Sequence, residues 1–243
     1  MGKIEKKVAV VLGGAKGIGL AISQRLATEG AVTWFTSRRE EDLETATSKI
    51  AGTAMPLRAD VSQKNELNRI MQIIAEKSGQ IDVLVINAGM SEYATLEEIN
   101  ELHFDQTFGQ NVRAPVFALQ AALPLMKPGS SVVLIGSIAD VIGIKGYGVY
   151  AASKAALRSF ARTWTRELAA RGIRVNVVAP GPVETEMMAA TSDEVRNGLI
   201  STIPLGRMGQ PEEVANAAFF LASDESRYIA GAEICVDGGM TQV

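Results

Sequence analysis

Thiol and imidazole groups are scarce in this chain: Cys235 is its single cysteine and His103 its single histidine among 243 residues. An internal disulfide or thiolate cluster is therefore excluded, and no His/Cys/Asp/Glu group has ligand spacing, so the sequence offers no metal site. Such cysteine usage fits a reduced cytoplasm. His103 opens a predicted helix, where a surface or capping role suits it, and Cys235 stands at a strand end as a packing residue. Long apolar runs are also missing. Val8 to Leu12, after Met1-Gly2-Lys3-Ile4-Glu5-Lys6-Lys7, is too short for a signal peptide or a membrane span and reads as a buried strand. Net charge is −3 with no Lys/Arg stripe, which excludes a nucleic-acid footprint. No linker, repeat or low-complexity tract interrupts the chain.

Hydrophobic residues make up 47% and charged residues 21%, proportions that allow an ordered globular core and argue against disorder. The length suits one α/β domain spanning 1–243. Val/Ile/Leu-rich runs predict strands near 7–12, 31–36, 53–59, 81–86, 131–136, 173–179 and 232–236, alternating with helices near 17–29, 40–51, 63–78, 102–127, 149–171 and 212–222. Val83-Leu84-Val85-Ile86 and Val132-Val133-Leu134-Ile135 are apolar without alternation, as in strands buried on both sides. The pattern predicts a doubly wound parallel sheet of about seven strands with helices on both faces. Segment 183–211, with Pro182 before it and Pro204 within it, is the least regular and is the expected substrate loop.

Directly after the first strand comes Leu12-Gly13-Gly14-Ala15-Lys16-Gly17-Ile18-Gly19, followed at once by an amphipathic helix. Glycines allow a sharp turn and a close backbone approach to a pyrophosphate, whose charge then sits at the helix N-terminus. A Gly-rich turn alone also serves as a tight strand–helix connection; its place in a βαβ unit favours a dinucleotide site. At the end of the second strand an NAD-type site carries an acid, but Phe35-Thr36-Ser37-Arg38-Arg39 has none. A hydroxyl at Ser37, a guanidinium at Arg38 and an ammonium at Lys16 suit a 2′-phosphate, so NADP(H) is expected over NAD(H). The alternative is that Arg38 and Arg39 cap a surface turn before Glu40, Glu41 and Asp42.

Tyr150 and Lys154 stand four residues apart in a predicted helix that follows a strand ending in Gly136-Ser137. The spacing places an ammonium beside a phenol. At about 4 Å and an effective dielectric near 20 the pair would interact by roughly 4 kcal/mol, enough to draw a buried phenol toward the range useful in acid–base catalysis. As an isolated pattern, Tyr-x-x-x-Lys also occurs on exposed helix faces.

Taken with Ser137 and the glycine turn, these residues make the chain resemble the short-chain dehydrogenase/reductase family, in its compact single-domain, 3-oxoacyl reductase-like branch. The resemblance covers nearly the whole chain and implies a Rossmann-type fold. It implies that Gly13, Gly17 and Gly19 form the cofactor turn, that Asp60 and Val61 contact the adenine side, and that Asn87-Ala88-Gly89 is the motif after strand four. It further implies a tetrad of Asn111, Ser137, Tyr150 and Lys154, with Pro180-Gly181 and Val183-x-Thr185 on the nicotinamide side. Tyr150 would be the general acid/base, Ser137 would orient the substrate oxygen, Lys154 would hold the nicotinamide ribose, and Asn111 would anchor a proton-relaying water. Leu12 departs from the family, which commonly has threonine there. Family members that reduce enoyl double bonds generally place the lysine further along, where this chain has Leu157; that favours C=O over C=C chemistry.

The expected activity is thus hydride transfer between NADP(H) and a ketone or secondary alcohol. Met90 to Tyr93, Ile138 to Tyr147, Met187 and Met188 are the expected pocket walls, their mostly apolar lining suggesting a hydrophobic substrate. By resemblance the chain forms a homotetramer that pairs through the helices near 102–127 and 149–171. The competing expectation is a regulator that senses NADP(H) without turnover, although such sensors often lose the tyrosine or lysine kept here.

Overall fold

The computed structural model describes residues 4–189 and 191–243, without the side chain of Met187. Seven strands form one parallel sheet in the order β3-β2-β1-β4-β5-β6-β7. They are β1 (Val8–Leu12), β2 (Val32–Ser37), β3 (Ala54–Arg58), β4 (Ile81–Ile86), β5 (Met126–Ile135), β6 (Arg174–Pro180) and β7 (Glu233–Val236). Between them run α1 (Gly17–Thr28), α2 (Glu40–Lys49), α3 (Lys64–Ser78), α4 (Glu101–Phe108), α5 (Ala114–Ala122), α6 (Gly148–Leu168), α7 (Glu186–Ala189), α8 (Asp193–Ser201) and α9 (Pro211–Ala222). The chain reverses its strand order beside β1, so β1 and β4 open a crevice at their carboxyl ends, where open α/β sheets take ligands.

The unbroken apolar strands are explained by two cores. Ala9, Val11, Val83, Val85, Val133 and Ile135 face one core with Ile22 and Leu26 of α1 and Val214 and Phe219 of α9. Their neighbours Val10, Leu12, Leu84, Ile86, Val132 and Leu134 face the other, with Leu67, Ile70 and Ile74 of α3 and Leu157 and Ala161 of α6. Each buried Leu, Ile or Phe contributes about 1.5–3 kcal/mol of transfer free energy, so both faces of the sheet demand apolar residues. Helix α6 follows the same logic: Val149, Ser153, Leu157 and Ala161 recur every fourth residue and are buried. Helix α9 starts where Pro211 takes the first helical position and Gln210 and Glu213 form a capping box.

Three expectations change. The helix predicted over 102–127 is broken into α4, a π-helical turn at Gly109–Arg113, α5 and a 3₁₀ turn at Leu123–Leu125. Strand β5 then begins at Met126, five residues before 131, with a register irregularity against β4 between Ile81 and Val83. Segment 183–211 is more regular than its prolines suggest, since it holds α7 and α8 and bridges Val183 to Gly209. Among the described residues no helix is long and apolar enough to cross a membrane.

Candidate active site

The turn after β1 is built by backbone contacts that leave no room for side chains. Gly13 has φ +77°, its N–H donates to Thr36 Oγ1 at 2.9 Å, and its carbonyl accepts from Asn87 Nδ2 at 2.7 Å. A Cβ on Gly19 would lie 2.0 Å from that same carbonyl, and one on Gly17 would stand 3.3 Å from Thr185 Cγ2. The N–H groups of Asn87 and Ala88 both donate to the carbonyl of Leu12, at 3.1 and 2.9 Å. Gly13, Gly17, Gly19, Asn87, Ala88 and Thr185 are therefore brought together, while Ile18 packs against the core. No side chain caps α1 and no acid lies in its first turn, so the helix offers unencumbered N–H groups and a positive dipole end to an anion. These residues fit a dinucleotide pyrophosphate. Thr36 was not foreseen, and it supplies a hydroxyl to this turn in a chain that has Leu12 before its first glycine.

Beside the turn, Ser37 ends β2. Its hydroxyl lies 3.3 Å from Asp42 Oδ2, and Lys16 Nζ lies 3.3 Å from both Asp42 and Glu186. Arg39 forks onto Asp42 at 2.9 and 2.7 Å. Arg38 is exposed, and its guanidinium has no partner among the described residues. Asp60 turns onto its own loop, accepting from the Ser62 N–H and hydroxyl at 3.0 and 2.7 Å, and Val61 is buried in the second core. On the far side, Pro180 ends β6, Gly181 donates to the Val236 carbonyl at 2.9 Å, and Val183 is buried.

The other half of the site lies at the ends of β4 and β5. Ser137 follows β5 and caps a 3₁₀ turn, accepting from Ala139 N–H at 3.2 Å. Tyr150, on the first turn of α6, brings its phenol next to the Ser137 hydroxyl. One turn further, the Lys154 side chain is buried, with Nζ donating to the Ile135 carbonyl at 2.9 Å and standing 5.7 Å from the Tyr150 ring centroid. Asn111, 1% exposed, accepts from Met90 N–H at 2.8 Å and donates to Met90 O at 2.8 Å and to Ser153 Oγ at 3.0 Å. Ser153 Oγ in turn donates to the Tyr150 carbonyl at 2.6 Å. A Cβ on Gly89 would meet Asn111 Oδ1 at 3.1 Å and Lys154 Nζ at 3.5 Å. Asn111 and Lys154 thus meet beneath Gly89, while Tyr150 faces Ser137. The π turn explains Asn111: widening the coil points it into the interior, which a regular helical pattern does not predict. Ser153 was legible only as a residue one turn beyond Tyr150.

The electrostatics differ from the sequence expectation. Burial raises the Tyr150 phenol above its ordinary value, and the Ser137 hydroxyl pulls it down less strongly. The ammonium instead spends its short contact on a backbone carbonyl, and burial lowers Lys154 to about 8. Desolvation outweighs the expected acidification.

Around this cluster, Tyr147 meets Tyr150 edge-on at 6.4 Å and Tyr93 at 5.7 Å, and Tyr93 packs against Gly146. Glu92 stands 3.8 Å from His103 Nδ1, and Lys145 is exposed. His103 is held at the start of α4 by its N–H to Asn100 Oδ1 at 2.9 Å. Asp140 turns away into a buried group: its carboxylate, 1% exposed, lies 3.8 Å from Arg158, whose Nε meets Glu233 at 3.0 Å. A cavity of about 480 Å³, lined by Arg158, Arg162, Glu233, Cys235 and Thr241, adjoins that group and is separate from Tyr150. The Met187 side chain, an expected pocket wall, is outside the described residues.

A family profile described as Enoyl-(Acyl carrier protein) reductase matches residues 13–241. The 3-oxoacyl-[acyl-carrier-protein] reductase FabG of Thermotoga maritima is 37% identical over 98% of this chain and 99% of its own length. Oxidoreductase asL5 of Sarocladium schorii is 37% identical over 99% of this chain and 98% of its own. A solved short-chain dehydrogenase/reductase from Serratia marcescens BCRC 10948 superposes with a TM-score of 0.94 at 35% identity, covering 98% of this chain and 99% of that one.

Proposed function

This chain belongs to the short-chain dehydrogenase/reductase family, and on that premise we propose that it is an NADPH-dependent ketoreductase whose proton donor is Tyr150. It is an oxidoreductase of the type that works between CH–OH and C=O. The observation carrying the finer reading is the Ser137–Tyr150 hydroxyl pair backed by the buried ammonium of Lys154, at the carboxyl edge of the sheet beside the glycine turn.

A bound nicotinamide supplies or accepts the hydride. Gly13, Gly17 and Gly19 would hold its pyrophosphate, Ser37, Arg38 and Lys16 its 2′-phosphate, Asp60 and Val61 its adenine side, and Asn87, Ala88, Gly89, Lys154, Pro180, Gly181, Val183 and Thr185 the rest. Ser137 orients the substrate oxygen. Tyr150, whose raised phenol keeps its proton through neutral pH, gives that proton to oxygen as negative charge develops there, and takes it back in the oxidative direction. Lys154, cationic below about 8, stabilises the phenolate left behind. Asn111 holds its amide fixed between Met90 and Ser153 and anchors the relay that returns a proton through Lys154.

Although the matched profile carries an enoyl-reductase description, the lysine stands four residues after Tyr150 and position 157 is leucine, which supports C=O as the reacting bond. The aromatic rim of Tyr93 and Tyr147 supports an apolar ketone, with 3-oxoacyl thioesters as the first class to assay. The exposed Leu102 and Phe104 on α4 support pairing of copies through the α4 and α6 faces, within a tetramer.

The test couples purified protein to a panel of 3-oxoacyl thioesters and apolar ketones and follows NADPH absorbance. Tyr150→Phe is expected to keep cofactor affinity while turnover falls about 10²- to 10⁴-fold. Retained turnover removes Tyr150 as the acid. Tight NADPH binding without turnover on any substrate would favour the sensing regulator.

A further inference from the structure

We propose that Asp42 is the residue that sets the balance between NADPH and NADH, acting as an internal counter-anion at the 2′ position of the cofactor site. The inference deepens the cofactor assignment above and rests on its placement of Ser37, Arg38 and Lys16 around that position. Three groups suited to a 2′-phosphate converge on a carboxylate the protein already supplies. Lys16 Nζ stands 3.3 Å from Oδ1, Ser37 Oγ 3.3 Å from Oδ2, and Arg39 closes a two-pronged fork at 2.7 and 2.9 Å. Asp42 lies in the first turn of α2, where the helix dipole also favours a negative charge, and its side chain is 12% exposed. The hydrogen bonds from Arg39 hold its carboxyl below the ordinary range, so it is ionised throughout the neutral region.

The consequence is competition. A 2′-phosphate and Asp42 are both acceptors for the same donors, so an arriving phosphate must share Lys16 and Ser37 with a carboxylate that repels it. Among the described residues only Arg38 offers this position an exposed cation with no prior partner. A ribose 2′-hydroxyl meets the opposite situation, because it donates a hydrogen bond and an ionised carboxylate accepts one. Asp42 thereby subtracts from the phosphate preference conferred by Arg38 and Lys16, and favours a hydroxyl at the same place. Glu186, also 3.3 Å from Lys16, is 73% exposed and so is a weaker competitor.

Fluorescence titration of NADPH and NADH against the wild-type protein, Asp42→Asn and Asp42→Ser at one ionic strength tests this without any turnover. Removing the charge is expected to raise the ratio of NADPH to NADH affinity by about 2- to 5-fold, the range typical of an exposed ion pair. Both variants must move the ratio in that direction, with thermal melting confirming that they are folded; Ser is retained as the smaller replacement should Asn disturb α2. An unchanged ratio, or one that falls because Arg39 and Lys16 lose their organiser, overturns the proposal. A wild-type preference for NADH would instead refute the NADP(H) assignment, while a rise in the ratio on removing Asp42 would still uphold the role given to that residue.

Discussion

The two halves of the site are made of different materials. At the nucleotide rim, Lys16 and Arg39 pair with Asp42, Lys16 also pairs with Glu186, and Ser37 meets the same Asp42 carboxylate, with the exposed Arg38 beside them. At the chemical end, Asn111, Ser153 and Lys154 are buried, and their polar atoms are committed to one or two backbone or side-chain partners. Exposed ion pairs contribute little and rearrange cheaply, whereas buried polar groups are costly to leave unmatched. On the proposed reading, cofactor choice would be adjustable by single charges at the rim, while proton handling would tolerate almost no change.

The turn shared by both halves gives the largest test of that contrast. Gly19→Ala forces a Cβ onto the Gly13 carbonyl and the Asn87 amide; overpacking of about 1–3 kcal/mol is expected to weaken NADPH binding roughly tenfold or more in the same titration. Wild-type affinity in this variant would mean that the rim's softness extends into the backbone.

Asn111→Ala probes the interior and comes next. It leaves the Met90 N–H and carbonyl unpaired, so thermal unfolding should report a loss of about 1–3 kcal/mol, and turnover should fall with it. A melting curve identical to wild type would show that water replaces the amide, and the interior would be softer than its hydrogen bonds indicate.

The smallest effect sharpens the contrast from outside both halves. Glu233, pressed against Asp140, is raised to about 7 by burial first and by the neighbouring carboxyl second. An acid bound more tightly to its proton in the folded state stabilises most below its unfolded pKa of about 4.5. That contribution fades as pH rises through about 7. Glu233→Gln should therefore flatten the dependence of melting temperature on pH between about 4.5 and 7, leaving the NADPH/NADH ratio unmoved. An unaltered slope would show that Glu233 does not carry this pH dependence.

Most of the framework was legible in the sequence because its causes are local. Val83-Leu84-Val85-Ile86 announces a strand buried on both faces, the glycines at 13, 17 and 19 announce a turn without side chains, and the spacing of Tyr150 and Lys154 places them on one helix face. What escaped depends on partners distant in sequence or on a change of helical winding. Asn111 reads as an ordinary polar position until Gly109–Arg113 widens the coil, and Thr36 matters only because β2 lies alongside β1. The direction of the Tyr150 shift was misjudged because spacing supplies a neighbour's charge but conceals the desolvation of both groups, and the Ile135 carbonyl that claims Lys154 belongs to β5 rather than to their helix.

The winding change at Gly109–Arg113 does more than aim one amide. A wider loop of coil resets the angular phase of everything after it, so α4 addresses α6 while α5, on the same rod, addresses α3. One continuous stretch of chain thereby serves two neighbours on different bearings, as a cranked shaft does. Shortening that stretch by a single residue would restore uniform pitch and leave one of the two packings facing the wrong way.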